Sequence, residues 1–449
     1  GARAEGLDLP PRSVVVLTGD ASVEWVVTYL ALLRAGHVPL LAGDHADLLA
    51  AAWQPDATIV AGPDGLAIDR SHRNPARPAV HPDLALLLST SGSTGSPKLV
   101  RLSHRNLTSN ADAIGEALRL TADDRGITSL PLHYCYGLSV LHSHLAAGAS
   151  TVAITASVVD PCFAAAVEAH GVTSIAGVPH TFDLLEVVGP ERVLAPSVRM
   201  LTAAGGRLGP AARARWHERA RAHGAELVVM YGQTEATARM AHLPPELAAS
   251  CPDAVGVPIP GGSLRVEPIA GRHDGIGELV YRGPNVMMGY ATAPAHLAEG
   301  AGVDELRTGD LGRFDAEHGV FEVVGRASRF IKPYGLRIDL DVIEARLGAV
   351  LGPVAATGDD DRLVVAAPAQ DPTSVAALVH DVCGLPSGAV QVVTGPIPRT
   401  ASGKVDHGAL LRSADELGTH PEEGAAPDPR PVSAILAEVL GRASLDPEQ

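Results

Sequence analysis

The sequence predicts an α/β protein with a large N-terminal lobe of parallel sheets covered by helices, a small β-rich subdomain, and then a small α+β domain. Three observations predict it. Strand-like and helix-like runs alternate from the start of the chain to about residue 252, an order that pairs strands in parallel and packs the helices on their faces. After Pro252 the texture turns to short strands and turns, and from Ser328 a compact α+β pattern runs to about Arg412. The expected boundaries are 1–327 for the lobe, with 253–327 its β-rich part, and 328–412 for the smaller domain. Residues 413–430 are acidic and Pro-rich, hence a linker, and 431–449 open a further segment.

The elements follow in order. "SVVVLTG" reads as a strand and "ASVEWVVTYLALLRAG" as a helix whose apolar face recurs at Val23, Val26, Val27, Leu30 and Leu33 before Gly36 stops it. "ATIVAG" and "LALLLS" are runs of buried-strand length, and Ser103 is placed to N-cap a helix from about Arg105 to Leu118. "STVAITA" leads into "DPCFAAAVEAHG", where Asp160 caps and Pro161 takes the first helical position. "TSIAGVP", "VRMLTAAG" and "ELVVMYG" continue the parallel series. "GSLRVEP", "GELVYRG" and "GVFEVVG" read as mostly antiparallel strands.

Composition narrows the function. A chain of 449 residues, 46% hydrophobic, can bury large cores. Its net charge of −16 argues against a general nucleic-acid surface, which needs clustered Lys and Arg. The four cysteines, Cys135, Cys162, Cys251 and Cys383, form no C-x-x-C pair, so neither a zinc site nor a disulfide scaffold is indicated. No run reaches the roughly 18 apolar residues of a membrane span, and the N-terminus shows no signal-peptide pattern. The expectation is a cytoplasmic protein without a membrane or nucleic-acid partner.

The chemistry concentrates in a few loops. In "LLLSTSGSTGSPKLVRLSHRN", six hydroxyl side chains and two glycines occupy residues 89–96, between the strand at Leu84 to Leu88 and the helix capped by Ser103. Main-chain N–H groups, hydroxyls and the Lys98 charge suit the oxygens of a phosphate chain. The pattern G-x-x-x-x-G-K-[ST] fails, because Pro97 holds the second glycine position and Leu99 replaces the magnesium-binding hydroxyl. "YGQTEAT" sets Thr234 and Glu235 just after a strand, where α/β sheets collect ligands. "RTGDLG" holds Asp310 in a turn, and "PRTASGK" holds Lys404 in a second Gly-Ser loop.

In this order, the motifs resemble the adenylate-forming superfamily of acyl- and aryl-CoA synthetases, peptide-synthetase adenylation domains and luciferase. The resemblance spans about residues 12–412. It implies that Thr90, Ser91, Gly92, Ser93, Thr94, Gly95 and Lys98 wrap the ATP phosphates, although Leu99 stands where a glycine usually follows the lysine. "AAGGRLG" implies Ala204, Gly205 and Gly206 against one face of the adenine, with Tyr231 on the other. Thr234 is implied near the α-phosphate, Glu235 on Mg2+, Asp310 on the ribose with Arg326 close by, and Lys404 as the catalytic lysine. The resemblance further implies a mobile C-terminal domain turning about a hinge at Ser328, where Asp or Lys is usual, and a pantetheine tunnel in "KPYG" lined by Gly335.

Amino-acid-activating relatives carry F-D-x-S, whose Asp pairs with the α-ammonium; here the segment reads "LPLHYCYGLS". The expected substrate is therefore an aryl or acyl acid, in a pocket bordered by His133, Tyr134, Gly137, His142, His180 and Gly232. His142 and His180 equally fit histidines satisfied within the core. "PVSAILAEVLGRASLDPEQ" resembles the first helix of a carrier domain, so the expected acceptor is the phosphopantetheine thiol of a carrier protein fused in cis. A free-standing CoA ligase is the nearer alternative, and a nucleotide-binding or luciferase-like protein without thiol transfer the more distant one.

Overall fold

The computed structural model describes residues 7–43, 46–63, 65–72, 79–89, 98–269, 274–326, 329–331, 333, 338–359, 361–400 and 403–417. The expectations on Thr90, Ser91, Gly92, Ser93, Thr94, Gly95, Ser328, Gly335 and residues 431–449 lie outside them. Among the described residues, those of 1–330 and 399–406 form one compact unit and those of 331–398 and 407 onward form a second, so the Lys404 loop groups with the first.

A seven-stranded sheet opens the first unit. Val14–Gly19, Val38–Leu41, Ala57–Gly62 and Leu84–Ser89 pair in parallel, and Leu99–Ser103, Gly289–Ala291 and Gly65–Asp69 add antiparallel edges. Leu99–Ser103 corrects one expectation. Residues 90–97 separate two paired strands rather than a strand and a helix, because Leu99, Val100 and Leu102 are fully buried beside Leu84–Ser89. The helix then starts at His104, and Ser103 caps it in a reciprocal box with Asn106, as the sequence predicts.

The Val23–Arg34 helix turns a different face inward from the expected one. Trp25, Tyr29 and Leu32 are buried, whereas Val23, Val27 and Leu30 are exposed, Val23 by 68%. The helix is apolar nearly all round, and the two aromatic side chains offer the larger area to bury. Asp160 also departs from its expected role. Its carboxylate makes no cap to the Pro161–Ala169 helix and turns back to accept the Ser157 N–H at 2.9 Å.

The second sheet has eleven strands. Ser150–Val152, Arg125–Ile127, Ser174–Gly177, Met200–Ala203 and Glu226–Tyr231 run parallel, and the antiparallel strands from Ala241–His242 through Val320–Arg326 to Ser263–Pro268 extend the same sheet. Side-chain alternation buries both faces of these parallel strands. Ile175, Leu201 and Leu227 pack with Phe163, Phe182 and Trp216. Ala176, Met200, Val228 and Met230 pack with Tyr136, Val140 and Ile114 on the opposite face. That opposite face leads to the candidate site, because its strands end at Ala203 and Tyr231.

The second unit is built on a three-stranded sheet, Ala355–Gly358, Leu363–Ala366 and Val390–Val393. Ile343 and Leu347 of Leu340–Leu351 and Val375 and Val379 of Pro372–Cys383 fill its core. Asp371 caps the latter helix by accepting the Ser374 N–H, and Gly384 closes it in the left-handed conformation. The His407–Glu416 helix runs four residues past Arg412, into the expected linker, by burying Ala414 as well as Leu410. No helix among the described residues is long and apolar enough to cross a membrane.

Candidate active site

The parallel strands Met200–Ala203 and Glu226–Tyr231 end side by side, so the segments that follow them, Ala204–Gly206 and Thr234–Glu235, emerge at one edge. Gly205 has φ +79°, and a Cβ there would stand 2.4 Å from the Tyr134 hydroxyl. That close approach sets Tyr134, at the head of the Cys135–Ala146 helix, directly against the expected adenine segment. Gly232 is constrained more severely. A Cβ would fall 1.9 Å from the Ala238 carbonyl oxygen, because the chain folds back over itself at Ala238 and Arg239.

That return is built from a short 3-10 turn, Thr234–Ala236, and a strained residue. Thr237 has φ +67°, costly for a β-branched side chain. Its hydroxyl donates to the Asn285 carbonyl at 2.7 Å and its N–H to the Thr234 carbonyl at 2.9 Å, which holds it there. The turn presents Glu235, whose Oε1 accepts from the Tyr290 hydroxyl at 2.8 Å. Lys98 Nζ lies over the same tyrosine, 3.2 Å from the ring centroid. Tyr290 thus links the expected phosphate lysine to the expected metal ligand. Nothing in the local pattern around Tyr290 marks it; its partner lies 55 positions away.

Tyr231, Asp310 and Arg326 form a further cluster. Asp310, 4% exposed, accepts from the Tyr231 hydroxyl at 2.6 Å on one oxygen and from Arg326 Nε at 2.9 Å on the other. The register that sets Asp310 opposite Arg326 on adjacent strands explains the latter bond. Burial, then the neighbouring Asp310 carboxylate, drives the Tyr231 phenol well above its ordinary pKa, so it stays a neutral donor.

Lys404 comes to this edge on a hairpin. Arg399 pairs with Val405, the Thr400 N–H donates to the Lys404 carbonyl at 2.8 Å, and Arg399 also lies 3.6 Å from Asp183. The ammonium is 5.1 Å from the centre of the Tyr134 ring. Burial lowers the Lys404 pKa, the Cys135 thiol opposes that, Arg326 reinforces it, and Glu235 and Asp310 oppose it. One lysine therefore feels both carboxylates. Cys135, which the sequence reading did not single out, sits within this group with its sulfur 3.4 Å from the Thr234 hydroxyl.

The remaining expected pocket residues divide. His180 lies beside the lysine hairpin, where burial and then Arg399 lower its pKa against Asp183. Gly137 packs under the carbonyls of Leu130 and Pro131. His133 packs on Gly43. His142 is held in the core by the Tyr29 hydroxyl at 2.9 Å, its ring stacked on that tyrosine, and burial pushes its pKa down to about 4.

The tyrosine bridge carries a prediction. Tyr290→Phe keeps the ring under Lys98 and removes only the hydroxyl on Glu235. If Glu235 holds Mg2+, the Mg2+ concentration for half-maximal activity rises by about tenfold, the cost of losing an orienting partner of a metal ligand. A Mg2+ titration of the variant at saturating ATP checks it.

Comparison with known proteins decides the family. The family model described as AMP-binding enzyme matches residues 42–291, more than half of the chain. The chain belongs to this family. Phenyloxazoline synthase MbtB of Mycobacterium tuberculosis is 30% identical over 98% of the chain and 34% of its own length, so the chain spans about a third of that relative. Oxalate–CoA ligase of Arabidopsis thaliana is 28% identical over 88% of the chain and 87% of its own length. The ATP-bound RpMatB–BxBclM chimera superimposes with a TM-score of 0.76 at 25% identity, covering 92% of each chain. The o-succinylbenzoate CoA synthetase MenE of Bacillus subtilis shares the fold, with a TM-score of 0.70 at 21% identity over 91% of this chain and 90% of its own. The chain is an adenylating enzyme of the adenylate-forming superfamily.

Proposed function

We propose that the chain activates an aryl or acyl acid, not an α-amino acid, as its acyl-adenylate and delivers the acyl group to the phosphopantetheine thiol of a carrier protein. In the adenylation step a carboxylate oxygen attacks the α-phosphorus of ATP and the bond to pyrophosphate breaks. In the transfer step the thiol sulfur bonds to the acyl carbon, losing its proton, and AMP leaves. The observation that carries this reading is the convergence on Lys404 of Glu235, Asp310 and Arg326, residues from separate segments of the chain.

Each group has a role that its surroundings support. Lys404 offsets the repulsion between the attacking carboxylate and the phosphates. Asp310, fixed by Tyr231 and Arg326, retains lone pairs for the ribose hydroxyls, and Gly205 lets Tyr134 close directly against the adenine segment. Thr234 donates near the α-phosphate. Lys98 and residues 90–95 hold the outer phosphates. Glu235 fits a magnesium ligand, because Tyr290 occupies only Oε1 and no described residue bonds Oε2. The ion would supply charge neutralisation on the phosphate oxygens. Ser328 as hinge and Gly335 in the thiol tunnel complete the proposal.

The carrier is favoured by the carrier-like pattern of residues 431–449 and by the likeness to the synthase MbtB. A carrier fused in cis reaches millimolar effective concentration and needs little intrinsic affinity. Coenzyme A as acceptor is the other reading, favoured by the likeness to the oxalate–CoA ligase over most of both chains. An acceptor assay separates them. With acyl-adenylate formed, thioester is expected on a pantetheinylated carrier at least about tenfold faster than on equimolar CoA. The reverse preference would establish a free-standing CoA ligase.

A further inference from the structure

Arg239 is a buried cation that no described residue neutralises. It is 2% exposed, and its Nε and Nη1 find no hydrogen-bond acceptor among the described residues. Other buried arginines are served. Arg213 donates to the Leu208, Pro252 and Ala254 carbonyls, and Arg101 pairs with Glu299. The guanidinium of Arg239 instead lies 4.7 Å from the Tyr136 ring centre. The charged and titratable neighbours that interact with it are Tyr136, Cys135, Tyr134 and His144, with no carboxylate among them. Leaving a buried charge without a counter-ion is strongly destabilising, so this arrangement points to an anion from outside the chain.

The residue is also held in place. Its carbonyl accepts from Asn110 Nδ2 at 2.9 Å and from Asn285 Nδ2 at 3.1 Å, and Gly232 lets the chain cross beneath it. The side chain lines a small cavity with Ser143, His144, Ser174, Met200 and Thr202. The polar groups there are already engaged. His144 bonds the Val140 carbonyl and Ser174, Ser143 bonds the Val140 carbonyl, and Thr202 bonds the Tyr136 hydroxyl. Arg239 is the member of this lining with unused donors. The cavity is small, about 10 Å³, which excludes a long chain.

Its place relative to Lys404 defines the ligand. Cys135 and Tyr134 both feel Arg239, Cys135 feels Lys404, and Lys404 lies 5.1 Å from the Tyr134 ring. The two cations therefore neighbour one pair of adjacent residues, Tyr134 and Cys135. We propose that Arg239 receives a second acidic group of the acid activated here, making the substrate a short dicarboxylic acid with one carboxylate toward Lys404 and the other toward Arg239. This rests on the adenylation reading. Arg is suited to the task, since its planar donors take a carboxylate in two parallel bonds.

The test compares oxalate, malonate, succinate and glutarate with their half-amides, which keep the shape and remove one charge, in ATP–pyrophosphate exchange with Mg2+. For at least one chain length the diacid should exceed its half-amide by about 100-fold or more in kcat/KM, because a site built for a charge rejects the neutral analogue strongly. Arg239→Met should cut that ratio to within about threefold by raising KM for the diacid, and Arg239→Lys should restore some of it. Half-amides or monocarboxylic acids activated as well as the diacids by the wild type would overturn the proposal, whether or not the variants fold. So would an unchanged ratio in a folded Arg239→Met. If no acid supports exchange, a rise in melting temperature given by a diacid, absent with its half-amide and lost in Arg239→Met, would sink the adenylation reading and keep the anion site. Absence of that rise would sink both.

Discussion

Lys404→Ala is expected to slow acyl-adenylate formation by at least about 100-fold, the scale seen when a group stabilising developing charge is removed. Two anions must meet at the α-phosphorus, and one unit charge about 4 Å from another is worth roughly 4 kcal/mol at an effective dielectric near 20. Single-turnover measurement of acyl-AMP reads the effect without contribution from thiol transfer. Adenylation should also show a pH signature. Burial lowers the Lys404 pKa, and the functional form is the cation. The rate is therefore expected to fall on the alkaline side, at a pH below that at which a free lysine titrates. Lys404→Arg, which stays charged, should lose rate through altered geometry and also lose that alkaline limb. The same shift has a sign for stability. A lysine with a depressed folded pKa costs stability where it is charged, below that pKa, and the cost is relieved as pH rises through it towards the unfolded value. Near-wild-type acyl-AMP formation by Lys404→Ala would remove Lys404 from the chemistry.

Asp310→Ala is expected to raise KM for ATP by about 10- to 100-fold, the range of one or two hydrogen bonds to a charged group. Its carboxylate is the meeting point of the Tyr231 hydroxyl at 2.6 Å and Arg326 at 2.9 Å, so deletion removes the ribose acceptor and strands a buried phenol. Asp310→Asn separates these effects, since an amide oxygen still accepts from one partner while the charge is lost. Its KM for ATP should lie between those of wild type and Asp310→Ala. An Asp310→Ala variant that melts normally and binds ATP as the wild type does would show that the ribose is held elsewhere.

Much of the fold is legible because its strands are short apolar runs between turn residues. "ATIVAG" and "LALLLS" become Ala57–Gly62 and Leu84–Ser89 without change. Where periodicity is ambiguous the reading fails in an interpretable way. Val23, Val27 and Leu30 share a helical face just as Trp25, Tyr29 and Leu32 do, and only packing area chooses between them. Leu99–Ser103 hides behind the hydroxyl-rich loop because Arg101 interrupts its apolar run, although that arginine is itself buried and paired with Glu299. In the site, Lys404, Glu235 and Asp310 stand out because they lie in glycine- and hydroxyl-bearing loops with local patterns. Tyr290 and Arg239 do not. Their significance comes from what they meet in space, a carboxylate 55 positions away in one case and the absence of an acceptor among the described residues in the other. Asn285, which supports the Arg239 carbonyl from 46 positions away, is equally silent in the sequence.

Acid-dependent adenylation is tested most directly by ATP–pyrophosphate exchange with Mg2+ and without any thiol. The expected result is exchange that requires a carboxylic acid lacking an α-amino group, together with an acyl-AMP of matching mass. Exchange supported only by α-amino acids would contradict the reading of the "LPLHYCYGLS" segment. ATP binding without exchange for any acid in a broad panel would contradict adenylation itself.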